Sequence, residues 1–350
     1  MSDNKATDPV DTTQHVDNTQ SIDNTQPASD VQTGDDVPPV DPVFKKYIPI
    51  ATVIFCAASV VLFLGINLFE DKPFTWEAYR KWGAPSFTEI FEGDYWGLIT
   101  SNFLHTEVWH IIFNLFWFWF LGKKIEFESN KLFYLLLVLS SALVSSLAQL
   151  SFSDASGIGL SGIAYAFFGF VFIKSKSSEA YKNYLDQRSI SLFFIWLVAC
   201  IVITKLGFMN IGNAAHVGGL VWGMLLAYLT RFAAYKQWAG ALLFLAVLAS
   251  SVWWSPFSVS WLSYQAGKLH NDQKLEEAMV IYRKILDRDA DNEFAKINLK
   301  QLEIYTLSQK AYKLQTDKKF KEAREIYNKI LAIDKDNAMA KENLQLLPAE

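Results

Sequence analysis

The stretch 157-GIGLSGIAYAFFGF-170 sets a single serine, Ser161, at the start of an apolar run. If a helix begins here, the backbone N–H of Ser161 lies in its first turn, where N–H groups are unpaired and the helix dipole is positive. Gly159 and Gly162 flank the serine and, having no Cβ atom, let the backbone approach a ligand. A lone serine in such a run most often bonds to its own backbone, so its meaning depends on the rest of the chain.

The 350-residue chain has a polar, acidic start, a long apolar middle and a charged, helix-like end. A membrane-spanning helix needs about 20 mostly apolar residues. Seven runs in the middle approach this length, at about 47–69, 103–122, 132–150, 157–174, 189–208, 213–230 and 238–254. We therefore predict an all-α fold, a polytopic membrane helical bundle whose surroundings are the lipid bilayer.

Four segments follow from this division of the chain. They are a disordered acidic segment, a six-span core, a seventh span and a helical-repeat tail, at 1–43, 44–232, 233–258 and 259–350. The first has too little apolar surface to offset the entropy of ordering it. The net charge of −4 gives no indication of a nucleic-acid partner.

Basic residues concentrate in the loops on one side of the predicted spans. They precede span one and follow spans two, four and six, whereas the opposite loops carry fewer. Because basic loops remain in the cytoplasm, we expect a cytoplasmic N-terminus, and the odd number of spans then places the repeats outside. The chain shows no transit peptide at its start, and we expect a bacterial inner membrane.

Three predicted spans carry polar side chains that lipid disfavours and that are therefore candidate functional groups. His110 and Asn114 are four residues apart and share a helical face. Ser161 and His216 each lie about four or five residues from the outer ends of spans four and six. At a rise of 1.5 Å per residue, that places both about 6–8 Å below the outer end. The topology thus predicts that these groups meet at one depth.

The chemistry of this set suits a nucleophilic serine. A serine hydroxyl needs a base to take its proton, and His216 can serve near neutral pH. The developing oxyanion needs donors, for which the Ser161 N–H, the Asn114 amide and the His110 imidazole are candidates. Tyr165, one turn below the serine, is expected to pack on the His216 ring. No carboxylate offers itself as a third member, so we predict a Ser–His dyad.

Two further glycines have a packing interpretation. Gly219 and Gly223 form the pattern GLVWG, in which small residues let two helices approach closely. They are expected to bring span six against span four, as a serine–histidine contact requires.

Three motifs together resemble those of the rhomboid intramembrane serine proteases: HIIFN at 110–114, GLSG at 159–162 and AHVGGLVWG at 215–223. The resemblance covers about residues 44–232. It implies a six-helix bundle in which Ser161 is the nucleophile, His216 the general base and acid, and His110 and Asn114 serve the oxyanion. It also implies transmembrane protein substrates, cut near their outer ends without a metal or cofactor, and a substrate gate at about 189–212. One departure is Gly97 after Trp96, where the family often has Arg.

The charged tail repeats itself. Residues 274–299 match residues 319–344 at an offset of 45. The pattern resembles tetratricopeptide repeats, whose usual period is about 34 residues, and the longer offset predicts an extended helix between the units. Such repeats commonly bind a protein partner, although the pair could instead pack on its own chain.

Other functions remain open at this point. A catalytically silent rhomboid-like scaffold would bind transmembrane clients without cutting them, but it would be expected to lack the serine or the histidine. A proton-relaying transporter would use His110 and His216 together with acidic partners inside the spans, and none stands out in the sequence. A membrane-tethered adaptor built around the repeats is compatible with proteolysis.

Overall fold

The computed structural model describes residues 42–152, 157–231 and 235–348. Within these ranges the chain is helical and has no strand, which confirms the all-α fold class. The helices of the apolar part are α1 (Pro42–Lys46), α2 (Ile50–Phe69), α3 (Trp76–Lys81), α4 (Phe87–Glu92), α5 (Gly97–Thr100), α6 (Val108–Glu128), α7 (Lys131–Phe152), α8 (Ser161–Lys174), α9 (Gln187–Lys205), α10 (Asn213–Leu229) and α11 (Tyr235–Ala249). Those of the tail are α12 (Val259–Asn271), α13 (Leu275–Leu286), α14 (Glu293–Thr316), α15 (Phe320–Ile333) and α16 (Ala338–Leu346).

Two predicted features fall partly outside the described ranges. The predicted disordered segment 1–43 lies outside them except for Pro42 and Val43, with which α1 begins. Residues 153–156, which precede the serine motif, also lie outside the described ranges.

Three of the described helices, α2, α7 and α9, are long and apolar enough to cross a membrane. The apolar helices α8 and α10 are shorter, with 14 and 17 residues. At 1.5 Å per residue α8 is about 21 Å long, less than the roughly 30 Å of a bilayer core. Span four was predicted to begin at 157, but helical geometry starts only at Ser161. The serine is therefore the first helical residue rather than a turn inside the helix.

The second span was also misplaced: it was predicted at 103–122, whereas α6 runs from Val108 to Glu128. Residues 101–103 instead form a short 3-10 turn. The helix continues past the predicted end because its charged residues have partners. Lys124 pairs with Glu128 at 2.6 Å, and Glu126 is only 4% exposed.

Glu126 connects the inner end of α6 to the start of α2. Its carboxylate accepts hydrogen bonds from the backbone N–H groups of Ala51 (3.0 Å) and Thr52 (2.8 Å) and from the Thr52 hydroxyl (2.7 Å). These N–H groups belong to the first turn of α2, which has no intrahelical acceptors for them and carries the positive end of the helix dipole. The contact therefore joins the first and second long helices.

We expect Glu126→Ala to lower the free energy of unfolding by about 2–4 kcal/mol, because it leaves buried donors of Thr52 without their charged acceptor. Unfolding in detergent micelles would measure the loss. Glu179→Ala is the matched control, since removing its exposed ion pair with Lys182 should change the same free energy by less than about 1 kcal/mol. Equal losses in the two variants would contradict the role given to Glu126.

Helix α8 is the centre of the apolar part, and its residues from Gly162 to Val171 are all buried. It packs closely on α10. A Cβ atom at Gly219 would overlap the carbonyl oxygen of Gly162, and one at Gly223 would overlap the carbonyl oxygen of Ala166. The two helices thus meet backbone to backbone through the glycines of the GLVWG pattern.

The loop between α2 and α6 has its own small fold. Arg80 binds Glu89 at 3.2 Å and Asp94 at 2.8 Å. Gly97 is buried against the Pro85 ring, which a Cβ atom at that position would overlap. The guanidinium group of Arg80, on α3, therefore connects the parts of this loop. The position after Trp96 has no room for an arginine side chain.

The tail consists of two helical units with the same turn geometry. Gln273 and Lys318, 45 residues apart, both adopt a left-handed conformation, with φ of 60° and 59°. Asn292 and Asn337 cap the following helices by accepting from backbone N–H groups, each at 3.0 Å. The 24-residue helix α14 runs through both units and is the extended helix that the 45-residue offset predicts.

Candidate active site

The starts of α8 and α10 bring Ser161 and His216 into contact. The Ser161 Oγ and His216 Nε2 atoms are 2.8 Å apart. His216 is 4% exposed, whereas Ser161 is half-buried. Because the two helices meet through glycine backbones, the separation of these side chains is set by the helix contact itself.

Tyr165 holds the imidazole from below. Its ring lies 4.8 Å from the His216 ring, centroid to centroid, and its hydroxyl donates to the carbonyl of Phe193 at 3.1 Å. Across the residues that the structure describes, His216 Nδ1 has no hydrogen-bond partner. Ring packing therefore orients the imidazole, and no described carboxylate does so.

Gly159 lets the backbone next to Ser161 lie close to side chains of the second predicted span. Its φ of +104° is a conformation that side chains rarely adopt. A Cβ atom here would lie 2.7 Å from His110 Cε1 and 3.2 Å from Asn114 Nδ2. The backbone just before Ser161 thus lies directly on these two side chains, and only glycine fits.

His105 is a buried residue of this site that the sequence analysis missed. Its Nε2 atom accepts from the Leu160 N–H at 3.2 Å and from Asn114 Nδ2 at 3.1 Å. Its Nδ1 atom faces the carbonyl oxygen of Phe103 at 3.2 Å. Two donors at one nitrogen and an acceptor at the other assign the proton to Nδ1. The sequence signal was a second histidine five residues before His110.

A single cavity of about 390 Å³ is lined by all of the predicted site residues that carry polar side chains: His110, Asn114, Ser161, Tyr165 and His216. Its rim includes Trp76 and Met209, which belong to the loops at the same ends of the helices. The cavity has room for a short peptide segment beside the serine.

Residues 92–233 match the family model of the rhomboid domain. This segment is similar to a rhomboid domain. It includes α6, α8 and α10 and therefore all the side chains of the site.

The chain is similar to the rhomboid protease GlpG of Salmonella paratyphi A, with 30% identity over 186 residues. The GlpG protein of Salmonella typhi is similar to the same extent. The alignments cover 53% of this chain and 65% of either relative. The chain thus spans a little less than two thirds of the curated relatives that it matches.

The rhomboid domain offers no evident metal site. The described part of the chain contains no group of three or more His, Cys, Asp or Glu side chains that could hold a metal ion. Cys56 and Cys200 are both free thiols.

Proposed function

We propose that the protein is an intramembrane serine endopeptidase of the rhomboid family, which hydrolyses peptide bonds in or near transmembrane helices of membrane-protein substrates. The observation that carries the proposal is the 2.8 Å contact between Ser161 Oγ and His216 Nε2. This contact lies at the wall of a cavity inside a membrane domain. A hydroxyl in contact with a neutral imidazole is the arrangement that nucleophilic catalysis needs.

The reaction follows from the positions of these atoms. His216 Nε2 takes the proton from Ser161 Oγ as the oxygen attacks the scissile carbonyl carbon. The tetrahedral oxyanion accepts hydrogen bonds from the Ser161 N–H and from the side chains of His110 and Asn114. His216 then gives its proton to the leaving amine, and an acyl-enzyme remains. Water deprotonated by His216 releases the acid and regenerates Ser161.

The short α8 explains how water and substrate reach a serine inside a membrane domain. A peptide bond in a lipid-buried helix already has its hydrogen bonds satisfied, so the substrate helix must unwind before attack. The start of a helix about 21 Å long lies within the bilayer thickness. The cavity above Ser161 provides room for an unwound segment.

The remaining features of the chain concern its topology in the membrane and the role of its tail. We propose that the N-terminus is cytoplasmic, that α11 is a seventh span, and that the tail is a tetratricopeptide-like repeat region on the outer side of a bacterial inner membrane. The basic loops support this orientation. The contact between α4 and α12 supports placing the tail on the same side as the loop between the first two spans. The repeats are then free to bind a protein partner.

Cleavage of a single-span substrate by the purified protein in proteoliposomes tests the proposal. We expect cleavage, and covalent labelling of Ser161 by a fluorophosphonate. A folded protein that neither cleaves several such substrates nor labels at Ser161 would instead support the silent scaffold that binds transmembrane clients.

His105 is expected to act as a positioning residue. His105→Ala removes the acceptor of Leu160 N–H and Asn114, so we expect kcat to fall about tenfold, or about 1.4 kcal/mol in transition-state energy, with KM within about twofold. Rates measured well below the unfolding temperature separate this effect from instability. His270→Ala, a histidine change in the tail, is the control and should leave kcat unchanged. A change in KM alone would contradict the role.

A further inference from the structure

A second groove lies beside the catalytic cavity, between the segment α3–α4 and the first helix of the tail, α12. Its volume is about 1150 Å³. The rings of Phe91 in α4 and Tyr264 in α12 lie 5.5 Å apart and join these two segments. The side chain of Trp76 lines both this groove and the catalytic cavity. We call it the tail groove.

The walls of the tail groove carry more acidic than basic side chains. The acidic residues are Glu77, Glu89, Glu92 and Asp272, and the basic ones are Arg80 and Lys268. Arg80 is already paired with Glu89. The side chains of Glu77, Glu92 and Asp272 are exposed and form no ion pair with any other residue that the structure describes. On the tail wall Asp272 lies four residues after Lys268, so the two charges largely offset each other there. The unneutralised negative charge of the groove is therefore that of Glu77 and Glu92 on the α3–α4 wall.

Apolar surface lies next to these carboxylates. Trp76 at one end of the groove is 56% exposed, and Phe294 on the tail side is 47% exposed. Aromatic faces beside carboxylates suit lysine and arginine side chains, whose apolar stems pack on rings while their charged groups meet the acids. The tail groove thus matches a basic, extended segment better than a neutral or acidic one.

We propose that the tail groove binds a basic extramembrane segment of the substrate, directly adjoining the transmembrane helix that enters the catalytic cavity. This inference rests on the proposed function. A substrate in the cavity must leave the membrane on the side where the cavity opens, and Trp76 lies between the two sites. On the proposed topology this is the outer side, where segments next to spans carry few Lys and Arg residues. The groove then favours the minority of membrane proteins whose outer segments next to a span are basic.

Cleavage of two matched substrates in proteoliposomes tests this assignment. They share one transmembrane helix, and the adjoining outer segment carries either four Lys and Arg residues or four Gln and Ser residues. We expect the full-length protein to cleave the basic substrate with about tenfold higher kcat/KM. The double variant Glu92→Lys/Asp272→Lys should lose this preference, yet cleave the neutral substrate within about twofold of the wild-type rate. A substrate with four Glu residues should gain in the double variant.

Equal kcat/KM for the basic and neutral substrates in the wild type would overturn the assignment. So would a preference that survives the double variant. If the wild type cleaves neither substrate, the result contradicts the proposed function but does not test the groove. In that case, binding of a fluorescent Lys/Arg-rich peptide of the same outer sequence to the full-length protein decides the question. Tighter binding to wild type than to Glu92→Lys/Asp272→Lys would still support the groove, and equal binding would refute it.

Discussion

Ser161→Ala is expected to abolish cleavage of a transmembrane substrate, lowering kcat on the order of 10⁴- to 10⁶-fold, because the variant lacks the attacking oxygen. His216→Ala should cost about as much, since the serine then keeps its proton. The double variant should be no worse than either single one, because the two side chains act as one unit. Single-turnover cleavage in proteoliposomes measures the rates.

Ser151→Ala is the matched control for this comparison. The Ser151 hydroxyl bonds only to the carbonyl of Leu147, at 2.7 Å, among the contacts of the described residues, so its loss should leave the rate unchanged. Cleavage that survives Ser161→Ala at more than about a hundredth of the wild-type rate would place the nucleophile elsewhere.

Gly219→Ala is expected to have the second largest effect, on both stability and activity. The added Cβ atom meets the carbonyl oxygen of Gly162, a backbone atom that cannot rotate away. Helix α10 must therefore move away from α8 and carry His216 with it. Overpacking of this kind costs about 1–3 kcal/mol of unfolding free energy, and a displacement of about 1 Å at the catalytic groups costs about 100-fold in rate.

Gly240→Ala provides the control for the chemical change itself. Gly240 lies in α11, and among the described residues no atom outside the adjoining turns of its own helix lies within 4 Å of the site that its Cβ would occupy. Its replacement should be neutral or slightly stabilising, since alanine favours helix. Unfolding temperature and cleavage rate are measured for both variants. If Gly219→Ala kept full activity, the contact between α8 and α10 would not determine the distance between serine and histidine.

The parts of the site that follow a regular spacing were predictable from the sequence. Helical periodicity places Tyr165 one turn from Ser161, and alternating spans bring the starts of α8 and α10 to the same side. The structure places Ser161 and His216 2.8 Å apart and Tyr165 against the His216 ring, as those patterns predict.

Other parts depend on contacts that no local pattern contains. The partners of His105 are Asn114, nine residues away, and Leu160, 55 residues away. In the sequence, Glu126 looks like a charged residue that follows the end of a span. Its role as a hydrogen-bond acceptor becomes visible only in the fold, where the start of α2 lies against it. The sequence alone therefore does not reveal that this carboxylate connects two helices.

The close contact of α8 and α10 has a consequence for how the protein responds to lipids. Helix α8 is enclosed by protein, whereas α9 exposes Ile195 and Val198 at 65% and 61%. When bilayer thickness changes, the mismatch acts on lipid-facing helices, which tilt to accommodate it. Serine and histidine will then move together as one body, while α9 changes its tilt. Lipid chain length should accordingly alter the tilt of α9 and leave the distance between Ser161 and His216 unchanged.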